Sequence, residues 1–207
     1  MMELNIEKTR DFWEENHKPG SMRFLSNSNP ELTYRQHGVS DVMSGPSKTI
    51  MEIGVGVATS IRFLAIRHNV VAVDISSRAI EKVKDIAQGY LTEDMPKIKD
   101  KSVDVAISHI VLQHCEDQVV DFIIGQTLRT LKDDGFFSFQ IACCNDINET
   151  LKKRLTQEEV VIEWIDRPVK WFEEIVAKNN GKVVRRPDPI YGMGRTKNID
   201  WYFLHVM

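Results

Sequence analysis

Glu52, Gly54, Gly56 and Asp74 are the residues whose types and spacing first suggest chemistry. Residues 50–58 read Ile50-Met51-Glu52-Ile53-Gly54-Val55-Gly56-Val57-Ala58, an apolar strand that ends in an acid and a glycine turn. Asp74 closes a second apolar stretch twenty residues after Gly54. Two glycines let the chain turn tightly and bring backbone N–H groups close to a ligand, and the segment 59–64 opens a helix toward the same crevice. A carboxylate at Asp74 can then accept the hydroxyls of a ribose, so the pairing points to a nucleoside-type cofactor. A structural glycine turn followed by an Asp that caps a helix accounts for the same letters.

The elements that must position these residues follow from the hydrophobic pattern. It predicts a strand at 49–54, a helix at 58–67, a strand at 70–74 and a helix at 76–87. A weak strand near 90–92, a strand at 103–108, a helix at 117–131 and a strand at 135–142 follow. Alternating β and α predicts a doubly wound parallel sheet. Runs such as Val70-Val71-Ala72-Val73 are apolar throughout, as burial on both faces requires. Residues 1–46 lie ahead of this rhythm and read as an N-terminal helical cap. It has one helix at 5–17, carrying Phe12 and Trp13 and stopped by Pro19-Gly20, and another at 31–44. Residues 47–142 form the expected cofactor-binding core. Residues 143–207 are expected to add substrate-side helices at 156–165 and 168–179, then an antiparallel hairpin from the runs 182–190 and 199–206. The expected fold is therefore a single α/β domain with a seven-stranded, mostly parallel sheet and one antiparallel terminal strand.

Spacing separates two kinds of cofactor. The dinucleotide fingerprint needs its third small residue five positions after the first glycine, where this chain has Thr59. Here the small residue is Ala58, giving E-x-G-x-G-x-A. This resembles the first motif of class I S-adenosylmethionine-dependent methyltransferases, in which Gly usually stands at the place of Ala58. The stretch Asp94-Met95-Pro96, then residues 100–117 with Val103-Asp104-Val105-Ala106-Ile107-Ser108 and Val111-Leu112-Gln113-His114, then Leu128-Arg129-Thr130-Leu131-Lys132-Asp133-Asp134-Gly135, is similar to later motifs of the same family, in the same order.

The resemblance implies S-adenosyl-L-methionine as cofactor. It places Glu52 and the backbone of Gly54 and Gly56 near the methionine part, Asp74 on the ribose hydroxyls, Ile75 against the adenine and Ser108 at the neighbouring strand tip. Leu91 falls where the family has an acid for the adenine amino group, and its side chain cannot accept a hydrogen bond. Either Glu93 or Asp94 substitutes, or backbone and apolar contacts hold the base.

A sulfonium already activates its methyl group, so the protein must mainly align an acceptor, exclude water and, for a hydroxyl, remove a proton. His109 directly follows the strand ending at Ser108, at the edge where such sheets bind ligands. It is the candidate catalytic base; a loop histidine bonded to backbone is the plainer alternative. His114 reads as a structural hydrogen-bonding residue. Tyr34, Arg35 and His37 in the cap, and Tyr191 and Arg195 in the loop 191–198, are candidate substrate contacts, with packing or exposure as the alternative for each. No metal is expected, because the strand tip at Ser108 offers no carboxylate to join Asn145-Asp146. Ser108-His109-Ile110-Val111 replaces the N-P-P-Y tetrapeptide associated with amino methylation, which favours an oxygen acceptor.

Composition narrows the partners. With 27 basic and 30 acidic residues among 207, the net charge of −3 announces neither nucleic acid nor an anionic membrane. Cys115, Cys143 and Cys144 cannot all pair, so a reduced cytoplasmic setting is expected, and neither a signal-like start nor a long apolar span stands out. The expected function is O-methylation of a small polar metabolite, such as a sugar or nucleotide-linked precursor. A non-catalytic partner subunit, motivated by Ala58 and Leu91, and a nucleic-acid methyltransferase are the alternatives. Oligomeric state is not legible.

Overall fold

The computed structural model describes residues 6–18, 29–143, 151–157, 160–185 and 200–207. Its strands are β1 (Thr49–Ile53), β2 (Asn69–Asp74), β3 (Gln88–Leu91), β4 (Val103–Ser108), β5 (Leu131–Cys143), β6 (Leu151–Gln157), β7 (Val160–Asp166), β8 (Val183–Arg185) and β9 (Asp200–Val206). Seven of them form one sheet in the order β3-β2-β1-β4-β5-β9-β8. The first five pair in parallel, and β9 runs antiparallel to both β5 and β8. The expected seven-stranded sheet with a single reversed strand is therefore present.

Alternation along the central strands divides the interior in two. Met51, Ile53, Val71, Val73 and Ala106 lie in one core with Phe137 and Phe139. Ile50, Val70, Ala72, Val105 and Ile107 lie in the other. The first face is covered by α6 (Asp117–Thr130) and α7 (Val169–Lys178), which contribute Val119, Val120, Ile123, Ile124, Phe172 and Val176. The second is covered by α2 (Pro30–Gln36), α3 (Ser40–Ser44), α4 (Thr59–Leu64) and α5 (Ser77–Glu81), through Tyr34, Val42, Ile61, Leu64 and Ala79. Each fully buried aliphatic side chain contributes about 1.5–3 kcal/mol to folding, so two-sided burial is what selects apolar strands here. None of the described helices is long and apolar enough to cross a membrane.

Three expectations about secondary structure are corrected. The helix expected over 156–165 is instead the antiparallel pair β6–β7, with Leu151 opposite Asp166 and Gln157 opposite Val160. Val160, Val161 and Ile162 are β-branched and favour extended backbone, and a cross-strand partner at every position outweighs the local helical spacing. The helix expected over 31–44 is broken after Gln36: Gly38 adopts φ 67°, and a separate α3 follows. That break leaves His37 at the end of α2, where it meets the sheet. The strand expected from residue 135 begins earlier, at Leu131, with an irregular step in its pairing to β4.

Candidate active site

The chain leaves β1 for β2 and β3 on one side, then returns to β4 on the other, so the sheet reverses its winding between β1 and β4. A crevice opens beyond the carboxyl ends of such strands. Ile53 is level with Ser108, and Ser108 with Phe139, so the loops after β1 and β4 rise from the same height.

The loop after β1 is built almost wholly from backbone. Gly54 has φ 80°, donates its N–H to the Val73 carbonyl at 2.7 Å, and has no room for a side chain: a Cβ there would lie 2.1 Å from Val111 Cγ2. Gly56, at φ 50°, donates its N–H to Asp74 Oδ2 at 3.0 Å. Asp74 Oδ1 accepts the Ser76 N–H at 2.9 Å. The Ile75 N–H also bonds this carboxylate, which still keeps lone-pair capacity for a ligand hydroxyl. Burial raises the Asp74 pKa, and His17 nearby partly offsets this. Ala58 also sits in the left-handed region, at φ 67°, which explains why glycine suits this position. Glu52 is 6% exposed and accepts the Tyr34 hydroxyl at 3.4 Å. Burial pushes its carboxyl up to about 8; the Tyr34 bond works against this and the charge of Asp74 adds to it.

On the other side of the crevice, His109 Nδ1 lies 3.2 Å from His37 Nε2, and His37 Nδ1 lies 2.8 Å from Ser138 Oγ. Ser138 Oγ also donates to the His37 carbonyl at 3.3 Å, and His205 Nε2 donates to the same carbonyl at 2.7 Å. Burial holds His109 down to about 4. His37 is fully buried, and burial, with His109 and His205 beside it, holds its pKa well below the usual range. Ser138 faces His37, and side chains alternate along β5, so Gln140 points to the same face, one residue past the Ser108–Phe139 pair. Gln140 is 1% exposed, and neither end of its amide has a hydrogen-bond partner. Ser108 Oγ is buried and likewise unpartnered.

The loop carrying His109 is held on both flanks. Ile110 takes φ 57°, a strained value for a β-branched residue, and Val111 packs against Gly54. Arg167 is fully buried; its Nη1 donates to the Leu112 carbonyl at 3.1 Å and its Nη2 to the Cys115 carbonyl at 2.5 Å. Its Nε donates to Asp117 at 2.9 Å, and its guanidinium lies 4.8 Å from the centre of the Trp171 ring.

Of the residues singled out from sequence, Glu52, Gly54, Gly56, Asp74, Ser108 and His109 converge on this crevice. Ile75 is half-buried, and its carbonyl accepts Arg10 Nε at 3.2 Å. Leu91 ends β3 level with Asp74. Of the two acids that could replace it, Asp94 pairs with Lys97 at 2.7 Å; Glu93 pairs with Arg10 at 2.5 Å through one oxygen and keeps the other unpartnered. Tyr34 and His37 are buried and support Glu52 and His109, while Arg35 is exposed on the outer face of α2. His114 packs edge-on against Trp13, with ring centres 5.5 Å apart. Tyr191 and Arg195 lie outside the described residues.

Sequence reasoning missed Ser138 and His205, which meet only through the antiparallel register of β5 and β9. It also missed Gln140 and, at the end of α1 (Glu7–Asn16), His17. Only the spacing of His17 four residues after Trp13, on one helical face, hinted at the last.

Comparison with known proteins agrees with this fold. The profile of the family described as "Methyltransferase domain" matches residues 51–139. Phosphoethanolamine N-methyltransferase 1 of Triticum aestivum is 25% identical over 166 residues, covering 73% of this chain but 33% of that protein. The chain thus spans about a third of the length of that curated relative. Among solved structures, the Burkholderia thailandensis 1,6-didemethyltoxoflavin-N1-methyltransferase, bound to 1,6-didemethyltoxoflavin and S-adenosylhomocysteine, superposes with a TM-score of 0.69 at 10% identity. That alignment covers 100% of this chain and 91% of the other. A DhpI complex with SAM and HEP gives 0.66 at 11% identity, over 98% and 97% of the two chains. The profile match over residues 51–139 and the shared sheet order make the chain similar to methyltransferases in its core and give it the fold of the S-adenosyl-L-methionine-dependent enzymes among these solved structures.

Proposed function

We propose that this protein transfers the methyl group of S-adenosyl-L-methionine to a hydroxyl of a small polar metabolite, with His109 accepting the proton that the hydroxyl loses. When bound, the cofactor supplies a sulfonium-activated methyl group. What remains for the protein is to hold the acceptor in line, exclude water and take a proton.

The hydrogen-bond wiring behind His109 carries this reading. Ser138 has one hydroxyl hydrogen, and its bond to the His37 carbonyl uses it, so His37 Nδ1–H donates to Ser138 Oγ. His37, neutral because it is buried, then presents Nε2 as an acceptor, and His109 Nδ1–H donates to it. In this reading the lone pair of His109 falls on Nε2, the nitrogen farther from His37, which would take the proton. Neutral imidazoles and the Gln140 amide suit an uncharged, hydrogen-bonding acceptor. These groups match the sugar hydroxyl at which methylation would occur, so a sugar, free or nucleotide-linked, stands first among acceptor classes. The buried free thiol of Cys115 fits a reduced cytoplasmic setting.

An N–H acceptor is the second reading, favoured by the names of the wheat and Burkholderia relatives. The same Nε2 would take the proton from nitrogen.

The test is His109→Gln, assayed against a panel of nucleotide sugars, sugar phosphates and heterocyclic amines with methyl gain read by mass. Turnover should fall about 100-fold, while S-adenosylhomocysteine affinity stays within about twofold. Unaltered turnover would remove His109 as the base. Absence of S-adenosylmethionine binding at millimolar concentration would favour the non-catalytic partner.

A further inference from the structure

A second histidine reaches the cofactor corner from the opposite side. Helix α1 is tied down around the end of β2: Arg10 bonds the Ile75 carbonyl and Glu93, and Glu14 accepts the Ser77 N–H and pairs with Arg78 at 3.4 Å. Immediately after the helix, the His17 carbonyl accepts Lys82 Nζ at 3.0 Å. These ties aim the His17 ring into the corner. It is 4% exposed, its Nε2 lies 3.8 Å from the point where a Cβ on Gly56 would stand, and Trp13 flanks it at a ring separation of 5.6 Å.

His17 Nδ1 is buried and has no hydrogen-bond partner. Burial lowers the His17 pKa, with the charge of Asp74 acting against it, so the ring is a neutral donor-acceptor set beside a carboxylate. A buried polar atom left unpaired is unfavourable, and a ligand that pairs it removes that penalty. The ligand chemistry follows from Asp74. Its oxygens hold the backbone N–H groups of Gly56, Ser76 and Ile75 and keep lone-pair capacity for a ligand hydroxyl, but they give nothing to the lone pairs of that ligand. A vicinal diol held there needs a donor as well as an acceptor.

We propose that His17 is a cofactor-binding residue and that it holds the ribose diol of the adenosyl group jointly with Asp74. The inference rests on the cofactor reading above and is independent of the methyl acceptor. It also gives α1 a purpose: the helix closes the corner and delivers the imidazole as part of the binding site.

The experiment is calorimetric titration of the full chain with S-adenosylhomocysteine and with 5′-methylthioadenosine, which has the adenosyl group without the amino acid. His17→Phe keeps the size of the ring and removes its nitrogens. It should weaken both compounds by the same factor, roughly tenfold. His17→Asn, which retains a polar group near the Nδ1 position, should recover part of that loss. Unliganded His17→Phe should melt no lower than the wild type, since it loses an unpaired polar atom. Wild-type affinity in His17→Phe would overturn the inference. So would a loss confined to S-adenosylhomocysteine, which would move His17 to the amino-acid end of the ligand. A wild-type chain that binds neither compound would overturn it together with the cofactor reading.

Discussion

The two walls of the crevice are built on different principles. The wall proposed for the cofactor comes mostly from a short, nearly continuous piece of chain, residues 52–76, and works through backbone N–H groups, left-handed turns and the carboxyls of Glu52 and Asp74. The wall proposed for the acceptor gathers His37, His109, Ser138 and His205 from four separate segments and works through side chains. Backbone geometry tolerates few residue types but is fixed locally. A side-chain constellation admits many residue types and depends on distant strands pairing in register. A family can therefore keep the first wall while varying the second, which fits the N-methyltransferase relatives and an acceptor that the fold alone does not name.

The contrast can be broken from either side, and the largest effect is expected on the acceptor side. Arg167→Met would remove two charge-assisted bonds, leaving the buried Cys115 carbonyl without a donor and the Leu112 carbonyl with only the Cys115 N–H at 3.3 Å, at a cost of about 4 kcal/mol in denaturant unfolding. The ion pair to the exposed Asp117 contributes little of this. A loss under about 1 kcal/mol would mean that the loop does not depend on this clamp.

On the cofactor wall, Gly54→Ala must place a methyl group into Val111 at a φ hostile to side chains. It should cost about 3 kcal/mol and abolish S-adenosylhomocysteine binding by calorimetry.

A third test uses pH. The folded-state pKa of Glu52, about 8, lies above the ordinary 4.5, so the folded protein holds a proton that the unfolded chain has released. The corresponding stability is present at low pH and is lost as pH rises through about 8. The buried His17, His37 and His109 act in the opposite sense, with folded pKa values below 6.5, so their effect is complete by then. Between pH 6.5 and 8, unliganded wild type should lose on the order of 2 kcal/mol relative to Glu52→Gln, read by unfolding at both pH values. A parallel course for the two proteins would show that Glu52 ionises normally. The smallest effect is Ala58→Gly, which relieves a left-handed alanine and should stabilise by about 1 kcal/mol.

What could be read from the letters alone follows the same division. Gly54, Gly56 and Asp74 stand close enough in sequence for their spacing to imply their geometry, and the apolar runs of β1, β2 and β4 announce two-sided burial. The β6–β7 pair was unreadable because helical spacing and extended pairing compete over so few residues, and only the partner strand decides between them. His37 was visible as a polar residue of the cap, but its place beside Ser138 depends on the break at Gly38 and on how α2 seats against the sheet.

By itself the sequence determined the alternating α/β layout, the glycine turn and its carboxylate, because each rests on local periodicity or on backbone constraints a few residues long. Only the tertiary structure decided which histidines meet and that His17 reaches Gly56. Those contacts join residues 39 to 168 positions apart, through side-chain packing and strand register that no local pattern encodes.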